Sequence, residues 1–171
     1  MNMHYKTSEK TYFMVFSAAI AAVYTVLTMV FAPVSFGPIQ FRISEILCIL
    51  PFFTPAAIPG LFIGCFLSNL LCGAATLDVI FGSIATLIGA IGSYKLRKNR
   101  WLVCLPPILA NTIIIPWVLR YAYGSEDIIW YAMFTVGAGE ILVIGVLGNI
   151  LLGVLNSYRH VIFGRFLSDK K

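Results

Sequence analysis

Four ionisable side chains stand out because they fall inside or beside long apolar runs: Arg42, Glu45, Asp78 and Glu140. Arg42 and Glu45 close the stretch Pro33 to Glu45 (PVSFGPIQFRISE), a Gly- and Pro-punctuated polar loop that also carries Gln40. Polar groups entering a membrane helix are costly unless they pair or line a cavity, so these point to recognition of a ligand rather than to packing. Glu140 lies deeper, after Val136-Gly137-Ala138-Gly139, where the glycines let a ligand or a neighbouring helix approach the backbone. A lone carboxylate at such depth must be paired, be protonated, or meet a cationic or hydrogen-bond-donating ligand. Asn69, Trp117, Arg120, Trp130 and Tyr131 fall in the same half of the membrane by the topology derived below. Acceptors, amides and aromatic platforms at one depth form an expected outward-facing pocket.

Most of these residues also have a plainer structural account. Arg42 and Glu45 are three apart and can pair with each other. Asp78 stands near the start of a helix, where a carboxylate can cap. Trp and Tyr gather near span ends as interfacial anchors whatever the function. Asn111 and Asn149 suit interhelical hydrogen bonding. Glu140 has no such easy account. An intramembrane enzyme using Glu140 and Asp78 as acid and base would lack a nucleophile–His pair or metal ligands.

The elements that must position these groups follow from composition. Hydrophobic residues make up 60% of the 171-residue chain and charged residues 11%, with a mean hydropathy of +0.91. A soluble domain would carry about a quarter charged residues. The chain is therefore expected to be an all-α integral membrane protein, a single membrane domain over 1–171. No cleavable signal peptide is evident after the polar start MNMHYKTSEK. No internal repeat or low-complexity linker appears.

Apolar runs over 11–32, 43–53, 56–74, 77–94, 101–121 and 128–157 mark the spans, judged against the ~20 residues a crossing helix needs. The second is short, and Pro51, Pro55 and Pro59 break the helix around it. If it crosses, the basic clusters before the first span (Lys6, Lys10), after the fourth (Lys95, Arg97, Lys98, Arg100) and at the end (Arg159, Arg165, Lys170, Lys171) share one side, as the positive-inside rule prefers. Six transmembrane helices with both termini cytoplasmic are expected. Ten of the twelve basic residues then lie in those clusters, so the net charge of +5 reflects membrane lipid and topology and asks for no nucleic acid.

Cys48, Cys65, Cys72 and Cys104 lie in apolar runs without ligand spacing, and His4 and His160 sit in terminal segments, so no metal and no cofactor are expected. In the first span Ser17, Ala18, Ala21, Ala22 and Thr25 recur at helical spacing. Ser17-x-x-x-Ala21 and Ala18-x-x-x-Ala22 allow close helix approach, within the chain or to a partner. Gly60-x-x-x-Gly64 and Gly145-x-x-x-Asn149 are expected to pack within the chain.

The stretch Ala32 to Cys65 (APVSFGPIQFRISEILCILPFFTPAAIPGLFIGC), with Leu77 to Leu87 (LDVIFGSIATL), resembles the QueT family. That family comprises membrane substrate-binding proteins (S components) of energy-coupling factor (ECF) transporters, assigned to queuosine precursors. The resemblance implies an S-component fold of six helices in the bacterial cell membrane, with a pocket near the outer face under the loop Pro33 to Phe41. It implies that Ala18 and Ala22 match the A-x-x-x-A motif that docks on the transmembrane coupling subunit, and that two ATPase subunits supply the energy. This chain shows no G-x-x-x-x-G-K-[ST] phosphate loop of its own.

A deazaguanine ligand would offer an N–H and an amino group to one carboxylate, assigned to Glu140. Its carbonyl would take a donor from Arg42, Asn69 or Gln40. Its ring would stack on Trp117 or Trp130, and a cationic arm would meet Glu45 or Asp78, with the two carboxylate assignments interchangeable. The alternatives are an S component for another small vitamin or nucleobase, and an autonomous proton-coupled carrier using Glu140 as a relay.

Overall fold

The computed structural model describes residues 2–35, 41–164 and 166, and of residues 2–8 and 34 the backbone alone. Gln40 and the loop segment 36–40 therefore lie outside the described residues. Every regular element described is helical: α1 (Asn2–Val30), α2 (Ala32–Ser35), a 3₁₀-helix (Ile43–Phe52), α3 (Ala57–Leu71) and α4 (Thr76–Lys95). After a short 3₁₀ turn (Leu102–Cys104) come α5 (Leu105–Tyr123), α6 (Ile129–Glu140), a π-helical stretch (Ile141–Gly148), α7 (Asn149–Ser157) and α8 (Arg159–Ile162). Four helical runs, Glu9–Val30, Thr76–Lys95, Leu102–Tyr123 and Ile129–Ser157, are long and apolar enough to cross a membrane. Ile43–Phe52 and Ala57–Leu71 are apolar but shorter.

The first helix has two faces of different use. Ser17, Ile20, Ala21, Tyr24, Thr25 and Thr28 are buried at helical spacing, and α3 lies against them. A Cβ on Gly60 would stand 2.8 Å from the Ser17 carbonyl oxygen, and one on Gly64 2.8 Å from the Tyr24 Cβ. The expectation that Gly60-x-x-x-Gly64 packs within the chain is met, because only a missing Cβ allows this approach. Ser17 Oγ donates to the Ala56 carbonyl at 2.9 Å and Thr25 Oγ1 to that of Gly64 at 3.3 Å. Ala18 and Ala22 lie on the opposite, exposed face.

Helices α4 and α5 meet in the same way. Gly89 and Gly92 face Pro107 and Pro106, where a Cβ would come within 2.7 and 2.4 Å. Helix α5 stops at Gly124, whose φ of 66° is the left-handed geometry glycine adopts freely at a helix end.

The proline-flanked segment 43–53 is a 3₁₀-helix with Pro51 inside it. It runs through the middle of the bundle, touching α1, α3, α4, α7 and the π-helical stretch. Its first residues lie beside the start of α4 and the end of α5, since Arg42 bonds Asp78 and Asp78 bonds Tyr123. At its far end the Phe53 ring stacks on Phe163, with centroids 4.7 Å apart. The segment thus connects the two ends of the molecule.

Candidate functional site

Helix α4 begins, α5 finishes and the 3₁₀-helix starts at one end of the bundle, and their polar side chains meet there. Arg42 has extended backbone, φ −85° and ψ 99°, so its side chain leaves the axis of the helix that follows. Its Nη2 donates to Asp78 Oδ1 and Oδ2, both at 3.1 Å. Arg42 is 5% exposed and Asp78 0%, so this is a buried ion pair; losing either partner would strand a charge. Tyr123 donates its hydroxyl to Asp78 Oδ2 at 3.0 Å, and the Tyr123 hydroxyl oxygen accepts from the Ala75 N–H at 3.2 Å. Asn69 Nδ2 donates to the Asp78 carbonyl at 3.2 Å. Gly82 makes the space: a Cβ there would stand 2.8 Å from Asp78 Oδ1 and 3.2 Å from Asn69 Nδ2.

A second group lies beside it, deeper in the bundle. Tyr24 donates its hydroxyl to Glu45 Oε1, and the Cys48 thiol donates to Glu45 Oε2 at 2.8 Å. Residues three apart eclipse in a 3₁₀-helix, which places Cys48 under Glu45. Thr28 Oγ1 donates to Ser44 Oγ at 2.7 Å, tying α1 to the same turn. Glu140 closes α6, 6% exposed, and accepts from Asn111 Nδ2 at 2.9 Å. Its Oε2 has no hydrogen-bond partner among the described residues, nor has Asn69 Oδ1. Among the described residues no three His, Cys, Asp or Glu side chains gather into a metal site.

These contacts correct two local readings. Arg42 pairs with Asp78, thirty-six positions away, rather than with Glu45, because the guanidinium lies outside the helix that carries Glu45. Asp78 does not cap α4. The helix starts after Ala75 without a side-chain cap, and the carboxylate is taken by Arg42 and Tyr123. Asn111 does join two helices as interhelical hydrogen bonding requires, and its partner is Glu140.

The structure thus brings together Arg42, Asn69, Asp78, Glu45 and Glu140. The tryptophans belong to the outer surface of the bundle instead. Trp130 is 79% exposed. Trp117, 44% exposed, stacks near Tyr121 with centroids 6.3 Å apart and lines an apolar groove of about 310 Å³ with Leu77, Phe81 and Ile113. Arg120 and Tyr131 are exposed as well.

Sequence reasoning missed Tyr24, Tyr123, Cys48 and Cys65, whose sulfur lies 3.8 Å from Asn69 Nδ2. The signal for Tyr24 was present: it is the one aromatic residue on the small-residue face of α1. Tyr123 sits at a span end, where tyrosines read as interfacial anchors, yet its hydroxyl reaches Asp78.

Membrane-length apolar helices around a buried, hydrogen-bonded set of charges define a helical membrane protein with a polar interior. Comparison with known proteins makes this more specific. The model of the QueT transporter family matches residues 14–157, and the chain belongs to that family. The family is one of transporters, not of enzymes. A similar protein is the queuosine precursor transporter QueT of Lactococcus lactis subsp. cremoris (strain MG1363), 44% identical over 82 residues. That match covers 47% of this chain and 48% of the relative, so it spans about half of the relative's length. No solved structure matches the chain.

Proposed function

We propose that this chain is the membrane substrate-binding subunit of an ECF-type importer, taking up a deazaguanine precursor of queuosine across a bacterial cell membrane. The observation that carries the reading is the buried cluster around Arg42 and Asp78, built into a chain of a transporter family. Family membership supports transport, and the relative's name supports a queuosine precursor. Glu140 offers a bare carboxylate oxygen and Asn69 a bare carbonyl oxygen, acceptors for the N–H and amino edge of such a ring. Asp78 is engaged by Arg42 and Tyr123 and Glu45 by Tyr24 and Cys48, which leaves Glu140 as the carboxylate with an open oxygen for the ring; a cationic arm would meet Glu45 or Asp78 by displacing one of these partners. Gln40 stays in the proposed site as a residue of the covering loop.

Six crossings, with both termini cytoplasmic, agree with the 3₁₀-helix and α3 each linking the two ends of the bundle. The exposed Ala18 and Ala22 on α1 suit docking on a coupling subunit, which would bring two ATPase subunits with it. Their inward-facing neighbours Ser17 and Ala21 are used within the chain.

Calorimetric titration of the purified chain with cyano and aminomethyl deazaguanines, queuine, guanine and two unrelated vitamins tests the substrate. Tight binding confined to deazaguanines is expected; a well-folded sample that binds none of them ends the assignment. Copurification tests the partners. Ala18→Leu with Ala22→Leu should lose the coupling and ATPase subunits while the isolated chain still binds ligand.

A further inference from the structure

Helices α4 and α5 touch closely at one end and leave a groove at the other. Where Gly89 and Gly92 meet Pro107 and Pro106 there is no room for a Cβ. Toward the Asp78 end the same helices present Leu77 and Phe81 against Ile113, Trp117 and Tyr121. Between them runs the apolar groove of about 310 Å³, with Val118 as its buried floor. Both helices are long and apolar enough to cross a membrane, so this groove opens on the lipid-facing flank of the bundle.

Its dimensions and its rim narrow the occupant. Ile113 to Tyr121 spans eight positions of α5, about 12 Å along the axis, close to the ~15 Å that one leaflet contributes to the hydrocarbon core. The lining offers a ligand almost nothing to hydrogen-bond, which suits an acyl chain and rejects a polar solute. Arg120 stands at the Tyr121 end, three positions past Trp117 and on the same face of α5. It is exposed, and its Nη1 donates to the Asp127 carbonyl at 3.4 Å. Among the described residues no carboxylate forms an ion pair with it. A guanidinium at the mouth of an apolar slot matches a phosphate joined to an acyl chain. The carboxylates of Glu126 and Asp127, on the loop that follows, disfavour further negative charge and favour an ammonium.

We propose that the groove is a binding site for one phosphatidylethanolamine molecule. An acyl chain lies between α4 and α5, the phosphate meets Arg120, and the ammonium turns toward Glu126 and Asp127. Leu77 precedes Asp78 and Tyr121 lies two residues before Tyr123, so the lipid braces the two helix ends that carry the Asp78 cluster. The site is separate from that cluster and does not depend on which solute the chain transports.

The test adds phosphatidylethanolamine, phosphatidylglycerol and an uncharged diacylglycerol glycolipid, all with the same acyl chains, to the full chain purified in mild detergent. Native mass spectrometry counts the lipids retained, and thermal unfolding reads the stabilisation that a ligand of the folded state confers. One phosphatidylethanolamine per chain, with a raised Tm, is expected. Arg120→Gln, which removes the phosphate contact, and Ile113→Trp, which fills the groove, should each weaken retention about tenfold or more. Ile150→Trp, at an exposed apolar position on α7, should leave it unchanged. Phosphatidylglycerol or the glycolipid held as tightly as phosphatidylethanolamine by the unsubstituted chain overturns the proposal, whatever the variants do. So does equal retention by Arg120→Gln, Ile113→Trp and the unsubstituted chain, or retention of no lipid at all.

Discussion

The two ends of the 3₁₀-helix are held by opposite means. At the Phe53 end, aromatic rings pack on one another: Phe53 on Phe163, Phe163 edge-on to Phe16 at 5.6 Å, and Phe16 near Phe166 at 5.4 Å. Ring packing tolerates small displacements, because dispersion is spread over many weak contacts. At the Arg42 end, two directional contacts to Asp78 and one from Tyr123 fix the geometry, and each group depends on its partner to offset the cost of leaving water. The aromatic end holds the fold; the charged end holds the fold and the proposed binding site. A substitution at the first should cost stability alone, and one at the second should cost both.

The sharpest way to break that contrast is Asp78→Ala. It removes the carboxylate that accepts both Nη2 contacts of the buried Arg42 guanidinium, so a loss of about 3–5 kcal/mol in stability is expected, together with loss of ligand binding. Thermal unfolding and calorimetry in detergent read the two effects. Next comes Phe163→Ala at the other end. The void should cost on the order of 3 kcal/mol, with ligand affinity unchanged in the protein that remains folded; a large fall in affinity would erase the distinction between the ends.

Gly82→Ala is a smaller, finer probe. Its Cβ would meet Asp78 Oδ1 at 2.8 Å, and crowding of this kind costs about 1–3 kcal/mol. Affinity should fall with stability here, whereas Gly153→Ala, with nothing within 4 Å, should leave affinity unchanged. Smallest is Trp130→Phe, expected within about 0.5 kcal/mol and without effect on affinity, as at exposed positions generally.

Much of the architecture was legible because hydropathy reports directly on lipid. The runs 56–74, 77–94 and 101–121 fall on Ala57–Leu71, Thr76–Lys95 and Leu102–Tyr123 within a few residues. The run 128–157 is a continuous helical stretch, with a π-helical section after Glu140 that hydropathy could not mark. The prolines flagged segment 43–53 as unusual, though not as 3₁₀.

The charged residues were legible as a set but not as pairs. Spacing suggested Arg42 with Glu45, since local rules see only neighbours on one helix. The actual partner lies on another element, and the extended backbone at Arg42 carries the side chain away from Glu45. Trp117 and Trp130 were legible only as aromatics near span ends, and both are exposed on the bundle surface. An aromatic at such a place reads alike whether it faces a ligand or lipid.

The 3₁₀-helix also sets a length. Ten residues at a rise of about 2.0 Å reach roughly 20 Å, where an α-helix of equal length would reach roughly 15 Å. Tighter winding lets a proline-bounded segment join the two ends of the bundle with few residues. Even so, it and the fifteen residues of α3, at about 22 Å, are shorter than a hydrocarbon core of about 30 Å. If the two elements cross the membrane as proposed above, lipid against the exposed face of α3 would have to thin or water would have to dip toward its ends. On that flank a polar solute would have less oil to cross.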